Sequence, residues 1–405
     1  MHLHPLPPVD TEPAEAYRSA AMLAADWLVR NQVRDPNDAN RGRFPGGYDL
    51  RTGKYLHSIN WTTATGLMGL LATWKRTKEE KYLEAAVLAG EYLKSLQMLD
   101  EDEPGQHGYL REVTPQTQWG FPRDALTAAW GLLWLYQATN DEDYLRAVWF
   151  FNEWYMREAL VLGWPLWGVD LRGDKYINEH LEGSFHGGNA AYFHDYKRVT
   201  GMKIFSERGI RFTADYYMKT FLQEDGSVKV IHLRDGSGYL DGEDSPKYPA
   251  HWQRMHRYND DFAAIGLLAA YMQYGGAKYL AAARRHAEWL LSEQRPDGSF
   301  GDPAVPPASA TAPMLFLDLY RLTGEARYFD AAHRAGSHLL TLQVRKPEDP
   351  IAHGGFRGYC DETGETGHFL NLRTGAYALI ALWKLEGEVT TPYYSVFGLG
   401  TEENE

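Results

Sequence analysis

One phrase recurs along the chain. It runs as an apolar helix-like stretch, a short polar turn often containing Thr-Gly, an aromatic residue, and a second amphipathic stretch ending in Leu-Gln or similar. LLATWKRTKEEKYLEAAVLAGEYLKSLQ is one copy; LLAAYMQYGGAKYLAAARRHAEWLLSEQ and MLFLDLYRLTGEARYFDAAHRAGSHLLTLQ are others. The marker aromatics are Tyr82, Tyr144, Phe205, Tyr279 and Tyr328. They lie roughly 50 to 75 residues apart, which suits a helix pair plus a variable loop. A sixth copy is split across the termini: residues 15–32 read as a second-type helix without a partner before it, and residues 371–386 as a first-type helix without a follower.

Joining the split copy closes a ring of twelve helices. First-type helices are expected near 61–75, 123–138, 184–199, 259–274, 308–322 and 371–386. Stretches such as TTATGLMGLLATW and DFAAIGLLAAYM are apolar all round, the mark of a buried inner ring. Second-type helices are expected near 15–32, 79–97, 141–160, 202–221, 276–294 and 326–343, with one apolar stripe and one charged face, as an outer ring requires. The expected fold is therefore an all-α (α/α)6 barrel of six helical hairpins. It is read as a single domain over 1–405, with an N-terminal extension at 1–14 and a C-terminal tail at 387–405. Inner-to-outer turns are short (TKEE, TNDED, TGEA). Outer-to-inner connections are long and rich in Gly and aromatics, so they should gather at one end, beside the N-termini of the inner helices. The connection over 222–258 carries a β-hairpin signal in SVKVIHL and the GSG that follows.

A net charge of −13 excludes a general affinity for nucleic acid, whose phosphates need a basic surface. The single cysteine, Cys360, excludes an intrachain disulfide and cysteine-rich metal sites. The N-terminal MHLHPLPPVDTEPAEAY has neither a basic n-region nor an apolar h-region, and no run is long enough to span a membrane. The expectation is a cytoplasmic protein, monomer or homodimer, without membrane partner, metal or other cofactor. Aromatics make up 14% of the chain, with 13 Trp and 26 Tyr, which offers stacking surfaces for sugar rings besides filling the core.

Titratable groups cluster where the long connections meet inner helices. HWQRMHRYNDDF (251–262) places His256, Arg257, Tyr258, Asp260 and Asp261 before inner helix four, with Asn259 as the expected N-cap. Acids at a helix start stabilise the dipole by about 1 kcal/mol or less, but a base, a cation, a phenol and two carboxylates together exceed what a cap needs. EHLEGSFHGGNAAYFHDY (179–196) places Glu182, His186 and Asn189 at spacings of three to four residues, on one face if that stretch is helical. The His186…His194 spacing matches no zinc motif. WGFPRDA puts Trp119, Arg123 and Asp124 at the start of inner helix two, with Pro122 suited to its first turn. Trp61 at inner helix one, and His368 and Arg373 at inner helix six, complete the candidates.

These phrases and Gly-rich loops resemble the six-hairpin carbohydrate-active enzymes, a group that includes unsaturated glucuronyl hydrolases, uronate-acting lyases and N-acylglucosamine 2-epimerases. The resemblance implies an oligosaccharide substrate. A second stretch, SEQRPDGSFGD (292–302), is similar to the Gln-Trp-type repeat of terpene cyclases, but the aspartate-rich motifs of those enzymes are missing. Hydrolysis needs two carboxyl groups, drawn from Asp124, Glu182, Asp260 and Asp261. Asp124, Glu182, Asp260, Asp261, His186 and His256 are thus the catalytic candidates. Trp61, Trp119, Arg123, Asn189, Arg257, Tyr258, His368 and Arg373 are the substrate-binding ones, with Trp61, Trp119, Tyr258 and the arginines expected to line one pocket. The leading expectation is a glycoside hydrolase acting on a uronic-acid-containing oligosaccharide. A lyase with a His or Tyr base, a sugar 2-epimerase, a terpene-cyclase-like enzyme and a non-catalytic toroid are the alternatives.

Overall fold

The protein is represented by a computed structural model that describes residues 3–387, apart from 161–164, 172–174, 178–179, 234–237, 241–249, 260 and 360–363. For residues 175–177, 180–187, 238–240, 252, 259 and 261–263 it describes the backbone alone. Among the described residues there are thirteen α-helices: α1 (Thr11–Asn31), α2 (Asn60–Thr77), α3 (Glu80–Ser95), α4 (Pro122–Thr139), α5 (Glu142–Trp154), α6 (Gly183–Thr200), α7 (Thr213–Thr220), α8 (Ala250–Asn259), α9 (Asp261–Tyr274), α10 (Ala277–Glu293), α11 (Pro306–Thr323), α12 (Ala326–Leu342) and α13 (Leu372–Leu385). A wider π-helical turn, Tyr155–Ala159, continues α5, and another, Glu207–Phe212, leads into α7. Twelve helices fall where the repeat places them. The thirteenth, α8, occupies residues that the sequence reading assigned to a connection, so Asn259 ends a helix instead of capping the next one.

Two compact units are present: the described residues within Met1–Ala89 and Leu290–Gly398, and those within Gly90–Trp289. In the first, α13 packs between α2 and α11, while α1 lies against α13 and α12 against α11. The helices of the split copy therefore form a hairpin partnership, tied by Arg18 Nε donating to Glu386 at 2.7 Å. The two helix types differ as their composition requires. Every residue of α2 from Asn60 to Thr73 is buried, as is every residue of α11 from Pro306 to Leu319. By contrast α12 buries Tyr328, Ala331, Ala332, Ala335, Gly336 and Leu339, a stripe at helical spacing. In the second unit α4 packs against α5 and α6, and α6 against α7 and α9. Here α4 is buried from Ala125 through Leu135.

The ends of the outer helices repeat one device. Gln32 Nε2 donates to Gly42 O (3.0 Å) and Ala85 O (2.8 Å). Gln97 does the same to Gly108 O and Ala147 O, and Gln343 to Gly354 O and Ala20 O. Gln294 donates to Ala331 O. Each glutamine thus pins the next outer helix, and three of them also hold their own loop. The loop glycines have positive φ, and a Cβ on Gly108 would sit 2.1 Å from Phe150 O, one on Gly354 2.3 Å from Leu23 O. The stretch resembling a Gln-Trp repeat, 292–302, is one of these clasps. Two residues beyond each loop glycine lies a buried apolar anchor: Phe44, Leu110, Val228, Phe300 and Phe356.

The long connections then pair into small antiparallel sheets. Gly47–Asp49 lies between Lys54–Leu56 and Thr366–Asn371, joining the approaches to α2 and α13. Gly168–Asp170 lies between Trp119–Gly120 and Lys175–Ile177, joining the approaches to α4 and α6. His180–Glu182 pairs with Ile231–Leu233, which pairs with Gly238–Leu240 in the hairpin expected from SVKVIHL. In each unit the connections therefore converge on the N-termini of inner helices.

Candidate active site

The approach to α4 carries the densest chemistry. After its clasp, the connection runs back along the end of α3, with Met98 N bonded to Tyr109 O and Arg111 N to Leu96 O. This buries Tyr109, Leu110, Arg111 and Glu112 in succession. Phe121 then takes an extended backbone and Pro122 opens the helix. No side chain caps the start of α4 by hydrogen bonding. Asp124 sits in the first turn, partly exposed, where free N–H groups and the dipole favour an anion.

Glu112 is fully buried beneath it. Its Oε2 accepts from Phe121 N at 3.0 Å, and its carboxyl shares a hydrogen bond with that of Asp124. Two carboxyl groups can bond to each other only through a proton. Burial, reinforced by the Asp124 carboxyl, pushes the Glu112 pKa well above the usual carboxylate range. The Tyr109 hydroxyl lies in the same pocket, its pKa raised by burial and then by Glu112 and Asp124. Gly120 makes the packing possible: a Cβ there would come 2.0 Å from Tyr109 Oη and 3.0 Å from Glu112 Oε2. Phe121, which precedes the helix, is the middle of an aromatic row. Trp119 stacks edge-on to Phe121 at 5.9 Å, and Phe121 to Trp167 at 5.4 Å. Trp119 is 42% exposed.

The remaining candidates divide between several places. Arg123, read as a substrate cation, is turned into the seam between α4 and α6. Its guanidinium bonds to Thr127 and lies where a Cβ on Gly188 would be, 2.4 Å from Nε. Asn189, the next residue on α6, is fully buried. Glu182 ends a strand paired to Ile231, so it precedes α6 instead of sharing a helix face with His186 and Asn189. The side chains of Glu182, His186 and Asp261, and the whole of Asp260, lie outside the described residues. His256 is buried on α8. Tyr258 stacks on Trp289 of α10 at 5.3 Å, and Arg257 lies 5.2 Å over the same ring. These two face an outer helix.

In the first unit the start of α2 meets that of α13. The Arg373 guanidinium stands 4.5 Å over the Trp61 ring, which meets Tyr377 edge-on at 6.1 Å. Trp61 is 7% exposed. His368 lies 3.3 Å from Glu365 and against Phe369. Among the described residues no group of three or more His, Cys, Asp or Glu is placed to hold a metal ion, and no helix is long and apolar enough to cross a membrane.

Glu112, Tyr109, Phe121 and Trp167 were not among the sequence candidates. A signal for Glu112 exists in the repeat. Four residues past the loop glycine the copies carry Gly46, Glu112, Val230, Asp302 and Gly358. A buried glutamate at a position filled elsewhere by glycine, buried valine or an exposed aspartate is the anomaly.

No protein family's sequence profile matches the chain, and no curated protein matches it in sequence. Solved structures do match. An unsaturated glucuronyl hydrolase from Bacillus sp. GL1 is 19% identical over 93% of this chain and 99% of its own, with a TM-score of 0.70. A cellobiose 2-epimerase from Spirochaeta thermophila is 15% identical over 94% and 99%, with a TM-score of 0.69. A family 76 mannosidase from Bacteroides thetaiotaomicron is 14% identical over 92% and 98%, with a TM-score of 0.65. The chain has the fold of these proteins, the six-hairpin (α/α)6 barrel.

Proposed function

We propose that the protein is a carbohydrate-active enzyme, a glycoside hydrolase acting on a uronic-acid-containing oligosaccharide, with Asp124 as one reacting carboxylate. The observation that carries this reading is the partly exposed Asp124 at the uncapped start of α4, three residues after Phe121, whose ring partner Trp119 is exposed. A carboxylate next to a stacking surface is what a sugar bond needs on one side. Likeness in fold to a glucuronyl hydrolase and a mannosidase supports the substrate class. Glu112 does not serve as the opposite carboxyl. Glycosidase pairs stand roughly 5–9.5 Å apart to admit the bond or a water, and a hydrogen-bonded pair leaves no such room. The second carboxyl is assigned to Glu182, which immediately precedes α6, to Asp261, which opens α9, or to Asp260.

The test is turnover of saturated and unsaturated uronyl oligosaccharides by Asp124→Asn, Glu182→Gln, Asp260→Asn and Asp261→Asn, with folding checked by circular dichroism. Asp124→Asn and one of the other three should lose roughly a hundredfold or more. Reducing sugar should appear without a new ultraviolet-absorbing double bond. Full activity in all four, with loss in His186→Ala or His256→Ala, would instead assign a lyase or an epimerase.

A further inference from the structure

The Glu112 carboxyl calls for a reason. Burying an acid costs several kcal/mol unless its polar atoms are matched, and the same repeat position elsewhere is filled by Gly46, Gly358, the buried Val230 or the exposed Asp302. The scaffold therefore does not require an acid there. Three features aim this one at Asp124. The Phe121 amide holds one carboxyl oxygen at 3.0 Å, which fixes the orientation of the group. The other oxygen, Oε1, is buried and accepts from no protein donor, and the Asp124 carboxyl is the acidic neighbour of the group. Gly120 leaves the space in which Glu112 and Tyr109 approach the strand backbone.

We propose that Glu112 is a positioning residue for Asp124: from behind, it donates a hydrogen bond to one oxygen of the Asp124 carboxylate and leaves the other oxygen to act at the mouth. This rests on the reading of Asp124 as a reacting carboxylate. The donated bond does two things. It holds Asp124 in one orientation at the start of α4, and it favours the ionised form of Asp124, keeping it available as a base or nucleophile at lower pH. No proton leaves the pair during turnover; Glu112 keeps its own throughout.

Two variants separate this role from a structural one. Glu112→Gln is isosteric and keeps an acceptor for the Phe121 amide and a donor for Asp124, but it cannot titrate. Glu112→Leu removes both. For each, kcat/KM is measured against pH on a uronyl oligosaccharide, and the infrared carbonyl band of a protonated carboxylic acid is recorded at neutral pH. Glu112→Gln should retain the acidic limb of the wild-type profile, with turnover within a few-fold. Glu112→Leu should move that limb upward by about one pH unit or more, with the loss in kcat and little change in KM. The infrared band should be present in the wild type and missing in Glu112→Gln. An unmoved limb in Glu112→Leu overturns the proposal, even if stability falls. So does a limb shifted by Glu112→Gln, which would mean that Glu112 is ionised. If Glu112→Leu fails to fold, the limb of Glu112→Gln and the infrared band decide. Should Asp124→Asn stay fully active, the positioning role falls with the reading of Asp124. A band that persists in the wild type would then locate the failure in that reading and not in the shared proton; a missing band would refute the shared proton itself.

Discussion

The two compact units build their inner-helix N-termini differently. In the second, the start of α4 brings together two carboxyl groups, one partly exposed and one fully buried, and an aromatic row through Phe121. In the first, α2, α11 and α13 have no acidic residue in their first turns. Asn371 caps α13 by accepting from Thr374 N, and the conspicuous feature is the Arg373 guanidinium over Trp61. At the opposite ends the units are alike. In the second, Asp195 on α6 is fully buried, accepts from the indoles of Trp130 and Trp134 on α4 at 2.8 and 3.0 Å, and pairs with Arg198. In the first, Lys384 on α13 pairs with Asp318 on α11 at 2.8 Å, both buried, and Glu386 takes Arg18 and Arg76. Buried charge that recurs in both units locks neighbouring inner helices. The buried acid at the start of α4 has no counterpart among the described inner-helix starts of the first unit.

That contrast can be broken most strongly at the locking pairs. Asp318→Ala removes the carboxylate beside Lys384, and Asp195→Ala removes the acceptor of two indoles and an arginine. Each should cost about 3–5 kcal/mol in denaturant unfolding, while activity per folded molecule stays near wild type. Unchanged stability in either would remove the distinction between scaffold and site.

A smaller effect concerns acid. In the second unit burial lowers the pKa of His194, and that of His286, to about 4 from the ordinary 6.5. The unfolded chain therefore binds protons that the folded one refuses. Stability is complete above pH 6.5 and is lost as pH falls toward 4, by on the order of 3 kcal/mol for each histidine. His286→Gln, which retains a donor for Gly226 O, should flatten the fall in denaturation midpoint between pH 6.5 and 4. An equally steep fall would show that other groups carry it.

The smallest effect concerns the clasps. Gln97→Leu in the second unit and Gln343→Leu in the first each remove two bonds to backbone carbonyls, and each should cost roughly 1–2 kcal/mol. The copy that ends at Leu222 occupies the same place without a glutamine, so the chain already tolerates one missing clasp. Thermal unfolding of the two variants checks whether both units rely on the device equally.

Much of the architecture was legible because its cause is local. Whether a helix is apolar all round, like TTATGLMGLLATW, or striped, like ARYFDAAHRAGSHLL, depends on residues three and four apart, and the repeat makes one copy a key to the next. Even the pairing of α1 with α13 followed from a phrase left open at both termini. Helix α8 was missed although Pro249 and the breaker-free run after it signal a start, because titratable residues in AHWQRMHRYN drew the reading toward a site. Arg257 and Tyr258 lie instead against Trp289.

Asp124 could be nominated from sequence because WGFPRDA itself marks a helix start. Its partnership with Glu112 could not. Twelve residues separate them, and their meeting depends on how the connection folds back along α3, how the Phe121 amide orients the acid, and the absence of a side chain at Gly120. Arg123 shows the same limit: adjacent to Asp124 in sequence, it turns into the α4–α6 seam because Gly188 leaves it room there. Periodicity determined which helices this protein has and which faces they bury. Only the tertiary structure decided which charged side chains meet, since a loop of a dozen residues has no repeating pattern from which its closure could be read.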